Sequence, residues 1–231
     1  MTRFVAVVSG KGGVGKTTTA INLGAALMNS GKDSIVLDGN LTAPNVGIYL
    51  GGANFDSTIH DVLDGKDVGR AVYLHASGLK FIPGNIKVDA LKKLDLNKLR
   101  KAYNKLKGIS EVVLIDTGAG LTKETLSVMN LADEVLVVTN PELAAVTDAM
   151  KTIEKAEESN KLVLGVVLNR YKEENEVTLQ NVETMLGKPV LAVIPESDSV
   201  KKSHIMRHPV VHSEPKSDVA LEFGKLAERL K

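Results

Sequence analysis

A doubly wound α/β fold, with a mostly parallel sheet and helices on both faces, is what this sequence predicts. Three observations carry that expectation. Short apolar runs rich in β-branched residues recur along the 231 residues, and longer segments with helical spacing lie between them. Most of the runs are apolar throughout rather than alternating, as strands buried on both faces of a parallel sheet must be. Apolar residues make up 43% of the chain and charged ones 25%, which suits a packed core and argues against disorder. No repeat, low-complexity tract or long linker interrupts the pattern, so the whole span 1–231 is expected to form one domain.

The first run, FVAVV (4–8), is five apolar residues that lead straight into Ser9-Gly10. It is too short for a signal core or a membrane helix and reads as a strand. A helix is expected over 16–30, closed by Gly31. SIVLD (34–38) is the second strand. Residues 51–110 are less regular, with helix-like pieces in STIHDVLDG and VDALKKLDLNKLRKAYNKLK before Gly108. EVVLID (111–116) and EVLVVT (134–139) are strands flanking a helix over 122–131. A helix over 143–159 then leads to the strand LVLGVVLN (162–169). A helix over 177–186 stops at Gly187-Lys188-Pro189, where the strand PVLAVIP (189–195) begins. After a proline-bounded stretch from Pro209 to Pro215, an amphipathic helix over 217–230 ends the pattern.

Chemistry concentrates behind the first strand. Gly10-Lys11-Gly12-Gly13-Val14-Gly15-Lys16-Thr17 matches G-x-x-x-x-G-K-[ST] between a predicted strand and a predicted helix, the context that the motif requires. Glycines let the backbone curl until successive N–H groups point at phosphate oxygens. Lys16 brings a point charge to the terminal phosphates, the Thr17 hydroxyl is placed to ligate Mg²⁺, and the helix that starts here adds its positive end. A glycine-rich turn without function is the competing reading, and four glycines followed by Lys-Thr-Thr weigh against it. Asp116, at the end of an apolar strand, can hold a water of the Mg²⁺ shell, and Gly118 and Gly120 leave the next segment free to approach a γ-phosphate. Asn169 ends another strand, where the Asn169-Arg170 pair fits an ordinary strand-end turn as well as it fits an adenine edge, with Arg170 and the 194–197 loop closing on the base.

The wording of these stretches resembles the deviant Walker A group of P-loop ATPases, which includes the MinD and ParA proteins. The second lysine, Lys11, carries much of the resemblance, and "VLDGNLTAPNVGIYLG", "VVLIDTGAG", "VVTNPELAAVTDAMK", "VVLNRY", "VIPES" and "HPVVHSEPKSDVALEFGKLAERL" extend it over nearly the whole chain. The chain is most similar to MinD proteins of the archaeal type. The resemblance implies the P-loop NTPase fold, ATP or ADP with Mg²⁺ as ligands, and a homodimer that forms on nucleotide. It implies that Lys11 reaches the partner's phosphates as a finger beside Lys16, Asp38 and position 40 in the catalytic set. Nucleotide contacts would come from Gly10 to Thr18, including Val14, and from Asn169, Arg170, Pro195, Glu196 and Ser197. Thr17 would ligate Mg²⁺, with Asp38 and Asp116 acting through water, and Asn45, Glu142 and Asp148 would lie on the dimer face.

Two positions depart from the family pattern. Asp38 is followed by Asn40 where MinD and ParA proteins usually have a second Asp, the residue credited with orienting the attacking water. An amide oxygen accepts a hydrogen bond but takes no proton, so ATP binding is expected to persist while hydrolysis is slow. Gly118 stands where Pro is usual, which loosens the segment after Asp116.

Other classes are narrowed by composition. Cysteine is absent, which excludes disulfides, thiolate metal sites and cysteine-held iron–sulfur clusters and fits a cytoplasmic protein. The net charge of +1 singles out neither nucleic acid nor an acidic partner. Lys151, Lys155, Lys161, Lys201, Lys202 and Arg207 could form a ParA-like DNA patch, but Glu154, Glu157 and Glu158 dilute it, and solvated charge is the simpler account. His204, His208 and His212 recur every four residues, yet Pro209 interrupts a common helix, and surface histidines in a loop are expected. The last helix places Val219, Leu221, Phe223, Leu226, Ala227 and Leu230 in an apolar stripe, expected to pack on the core rather than on lipid, so any membrane recruitment is weak or needs a partner protein. Three functions stay in view: a MinD-type positioning ATPase, an ATP-locked scaffold without turnover, and a ParA-like DNA-binding ATPase. ATP-dependent metabolite synthases share the loop but not the continuous match.

Overall fold

Each buried strand sends alternate side chains to opposite faces, and the chain answers with a helical layer on each. The computed structural model describes residues 2–92 and 94–231. Its strands are β1 (Arg3–Val8), β2 (Ser34–Gly39), β3 (Tyr73–Leu74), β4 (Lys80–Ile82), β5 (Val112–Thr117), β6 (Glu134–Thr139), β7 (Leu162–Tyr171) and β8 (Val190–Pro195). The helices are α1 (Lys16–Asn29), α2 (Val46–Tyr49), α3 (Ile59–Leu63), α4 (Val88–Lys92), α5 (Leu99–Leu106), α6 (Lys123–Met129), α7 (Leu143–Glu158), α8 (Leu179–Leu186), α9 (Asp198–Met206), α10 (Val210–Ser213) and α11 (Asp218–Leu230). One sheet runs in the order β3-β4-β2-β5-β1-β6-β7-β8. Every pairing is parallel except β3 with β4 at one edge.

The pleat divides the core in two. Phe4, Ala6 and Val8 of β1 join Ile35 and Leu37 of β2, Val113 and Ile115 of β5, and Val135 and Val137 of β6 against α3, α5, α6, α7 and α8. Val5, Val7, Val36, Leu114, Leu136 and Val138 face the other way, onto α1, α10 and α11. This arrangement is the doubly wound architecture that the apolar runs predict. Because the long strands are parallel, their carboxyl ends emerge along one edge, and every loop that carries the predicted chemistry leaves from that edge.

The six predicted strands and five predicted helices are present within one or two residues of their expected bounds. Two short strands, β3 and β4, escaped sequence reading because two and three residues give no period to read. The helix-like stretch after Val88 is broken into α4, a 3-10 turn at Leu96–Lys98 and α5; Lys93, between them, lies outside the described residues. The segment after Ser197 is helical, not a loop, and Ser197 caps it by accepting from the Ser199 N–H at 3.1 Å. His204 therefore stands on α9 and His212 on the short α10, with only His208 between helices, a correction to the loop expected for the three histidines.

The last helix, α11, packs on the sheet as its stripe predicts. Val219, Phe223, Leu226, Ala227 and Leu230 are buried, while Leu221 is exposed and drops out of the stripe. Among the described residues no helix is long and apolar enough to cross a membrane. If α11 is a core helix, Phe223→Ala should lower unfolding free energy by about 3–5 kcal/mol. Leu221→Ala should change it by less than about 0.5 kcal/mol in the same urea titration. Equal effects from the two would contradict the packing.

Candidate nucleotide site

The loop between β1 and α1 wraps around the amino end of α1, which has neither a side-chain cap nor an acidic residue in its first turn. Its first N–H groups are left for an anion to satisfy. Gly15 makes the wrap possible: its φ is 100°, and a Cβ there would come 2.1 Å from the Asn169 amide nitrogen. Gly10 is fixed by a neighbour, since a Cβ would lie 2.3 Å from the Asp148 carbonyl oxygen on α7. Lys16 turns back along the loop and donates to Ser9 Oγ at 2.9 Å. Burial lowers its pKa, and the charge of Asp116 opposes that effect.

Two carboxylates stand side by side behind the loop. Asp38 and Asp116 are register partners on adjacent strands, and both are fully buried. Asp116 Oδ2 accepts from Thr17 Oγ1 at 2.6 Å, while its buried Oδ1 has no partner in the structure. Burial pushes its pKa up to about 6, against the Thr17 hydrogen bond and the Lys16 charge. Asp38 is raised well above the ordinary carboxylate range by burial and by Asp116. Its Oδ2 accepts from the Asn45 and Val46 N–H groups, both at 2.9 Å, and its Oδ1 from Asn40 N–H at 3.3 Å. Asp38 thus shapes the 40–46 loop, whereas Asp116 keeps an oxygen free. A hydroxyl at Thr17 beside an orphaned, buried carboxylate oxygen is a donor set that fits a hydrated Mg²⁺.

The other sequence-predicted residues gather around the same opening. A cavity of about 600 Å³ is lined by Gly12, Gly13, Gly15, Lys16, Thr17 and Thr18 on one side. Asn40 and Asn45 face it from the β2 end, Asn169 and Arg170 from β7, and Pro195, Glu196 and Ser197 from β8. Asn169 donates to the Val14 carbonyl at 2.7 Å and so braces the loop, and Glu196 pairs with Lys172 at 2.7 Å. Gly120 donates its N–H to the Ser9 carbonyl at 3.0 Å, tying the segment after β5 to the phosphate loop. A Cβ on Gly118 would lie 3.3 Å from Asn40 Oδ1, so the two departures from the family pattern face each other. Lys11 is half exposed and pairs with Glu142 at 2.7 Å, and Asp148 pairs with Lys151 at 3.2 Å. Sequence reading missed Tyr49, Lys201 and His204, which also line the cavity. The available signal was Ser197 as a helix cap, which sets Val200, Lys201 and His204 on one helix at three- and four-residue spacing.

The model of the CobQ/CobB/MinD/ParA nucleotide-binding domain matches residues 5–210. This chain belongs to that family. It is 34% identical over 228 residues to an uncharacterised ATP-binding protein of Methanocaldococcus jannaschii, covering 98% of this chain and 86% of the relative. Among solved structures, the cell division ATPase MinD of Pyrococcus furiosus superposes with a TM-score of 0.94 at 37% identity, over 100% of this chain and 98% of that one. The septum site-determining protein MinD of Pyrococcus horikoshii, complexed with Mg-ADP, superposes with a TM-score of 0.93 at 36% identity, over 100% and 96%. The MinD/ParA fold and the P-loop NTPase sheet are therefore shared along the whole chain.

The buried carboxylates make a pH prediction for the MinD/ParA fold without ligand. Between the ordinary carboxylate pKa and about 6, folded Asp116 keeps a proton that the unfolded chain releases. Stability from this group is therefore full at acid pH and falls as pH rises through that window. Asp116→Asn should raise the unfolding free energy of the ligand-free protein near neutral pH by an amount on the order of 2–3 kcal/mol, and its melting temperature with it. The advantage should vanish near pH 4. A variant that melts lower than the parent at neutral pH would contradict the assignment.

Proposed function

We propose that this chain is a MinD-like switch protein, one domain that binds ATP or ADP with Mg²⁺, dimerises on ATP and takes part in placing the division site or another cellular assembly. The observation that carries the reading is Lys16, Thr17 and the uncapped end of α1 on one cavity, with the half-free Asp116 buried directly behind Thr17. Loop N–H groups and Lys16 bind the phosphates; Thr17 and Asp116 hold Mg²⁺, which when bound neutralises charge on the terminal phosphates. Asn169 and Arg170, with the 195–197 segment, enclose the base. Lys16→Ala removes a charge that N–H groups do not replace, so calorimetry should show ATP affinity lost by a hundredfold or so. Unchanged affinity would remove the phosphate-loop assignment.

Slow hydrolysis follows from Asn40. Its Nδ2 donates to the Ala43 carbonyl at 2.6 Å, and the neutral Oδ1 is the one acceptor its side chain offers to an attacking water. Such an oxygen orients water but accepts no proton. In Asn40→Asp the donor to Ala43 is gone, and repulsion between carboxylate and carbonyl turns the new acid out of its loop. Turnover should rise by roughly tenfold to a thousandfold, with ATP affinity nearly unchanged, because the loop, Lys16 and Thr17 are untouched. If parent and variant hydrolyse ATP equally fast, Asn40 is not what limits turnover.

Dimerisation on ATP is supported by Lys11, whose ammonium group is engaged by Glu142 at the surface rather than by its own phosphate loop. Exposed pairs of this kind are worth less than about 1 kcal/mol, so a partner's phosphates can outcompete Glu142. Lys11→Ala should keep nucleotide affinity yet stay monomeric with ATP by light scattering. A parent that is itself monomeric with ATP would sink the switch.

For a DNA reading, the positive charge of the sequence-predicted patch is locally balanced rather than concentrated, which weakens long-range attraction even though each exposed pair is itself weak. Lys151, Lys155, Lys201 and Lys202 each pair with an acid, at 3.2, 2.7, 2.8 and 3.7 Å. Lys161 and Arg207 donate to backbone carbonyls. For membranes, α11 buries its apolar stripe in the core and has little to offer lipid.

A further inference from the structure

One side chain on the cavity is not used by that reading. His204, half-buried on α9, places Nε2 3.3 Å from Thr18 Oγ1 in the first turn of α1. The Tyr49 ring, at the end of α2, meets the imidazole edge-on with centroids 4.7 Å apart. Arg170, from the end of β7, is near enough for its charge to act on the ring. The helix that carries His204 is fastened at both ends. Ser197 caps its start, and Arg207 ends it with φ 58° while donating to the Ile48 carbonyl of α2 at 2.5 Å. The imidazole is therefore held in place by α1, α2 and its own anchored helix, on the wall of the nucleotide cavity.

We propose that His204 is a further nucleotide-binding residue, one that contacts the phosphate group settling against Thr18 and binds it more tightly when the imidazole is protonated. This role rests on nucleotide binding at the phosphate loop as described above. Thr18 belongs to the turn of α1 whose N–H groups and hydroxyl meet phosphate oxygens. Without ligand, burial and then the charge of Arg170 hold the ring's pKa below the ordinary histidine range. A phosphate at Thr18 reverses the local field and turns the imidazole into a charge-assisted donor. Binding then takes up a proton. The added affinity is full below the ligand-free pKa and is lost as pH rises through the bound one.

Other titratable and charged groups face the same cavity from each neighbouring element. Tyr49 comes from α2, Arg170 from β7 and Lys16 from α1, while Lys201 on α9 is raised by its pair with Asp198. Glu196, just before α9, is lowered by Lys172. All of them, and the ionisation of the nucleotide itself, are common to the proteins compared below and cancel in the comparison.

The test is calorimetric titration with Mg-ADP from about pH 8 to about pH 5.5, in two buffers of different ionisation enthalpy, on wild type, His204→Gln, His204→Ala and His208→Gln. His208 meets the His75 ring edge-on, with centroids 4.8 Å apart, and does not line the cavity. Wild type and His208→Gln should gain about fivefold to tenfold more affinity on acidification than either His204 variant, and only they should take up the extra proton. A His204→Gln protein with the wild-type slope and proton count would overturn the proposal. Wild type that binds no Mg-ADP at any pH would instead overturn the nucleotide reading itself, and this role with it.

Discussion

Asp38 and Asp116 sit opposite one another on adjacent parallel strands, in the middle of the sheet and sealed from water. Two such carboxylates repel each other and lack hydration, and the surrounding residues are arranged around that cost. Asp38 is answered by three backbone N–H groups, so the 40–46 loop takes its shape from the charge behind it. Asp116 is answered only by Thr17 and, at longer range, by Lys16. The uneven treatment separates a carboxylate that organises its own loop from one left short of a partner. In the proposed reading, that shortage is what a cation brought in with a phosphate chain would relieve.

Packing then joins the loops into one unit. Gly120 is hydrogen-bonded to Ser9, Gly10 lies against the α7 backbone at Asp148, and Asn169 braces Val14 while occupying the space beside Gly15. A displacement at any one of these loops is felt at the others, because interiors this close deform in discrete steps. The chain from the phosphate end runs through Gly120 and Ser9 to Lys11, and so to the ion pair with Glu142 at the surface. An event at the cavity thus has a short route to the face where a second copy is proposed to dock.

Much of this was legible in the sequence because it depends on local rules. The strands β1, β2, β5, β6, β7 and β8 are uniformly apolar where both faces are covered, and α1 begins at a motif whose glycines have few other uses. What was not legible depends on tertiary packing. The strands β3 and β4 are too short for a period to show. His204 gave no sign of its role, because its partners Thr18 and Tyr49 are remote in sequence and meet it only through the fold. The proximity of Asn40 to Gly118 is likewise invisible in the sequence: each departs from the family pattern, but their facing geometry comes from the pairing of β2 with β5.

The central claim is that this cavity takes a nucleotide together with a divalent cation because Asp116 lacks a partner without it. The most direct measurement is the melting temperature with saturating ADP, once with Mg²⁺ and once with a chelator. Ligand at about a hundred times its dissociation constant adds about 2.7 kcal/mol, or roughly 5–10 °C for a chain of this size. The account predicts that shift with Mg²⁺ and most of it lost with the chelator. Equal stabilisation in the two conditions would contradict it, since the buried carboxylate would then have no part in holding the ligand.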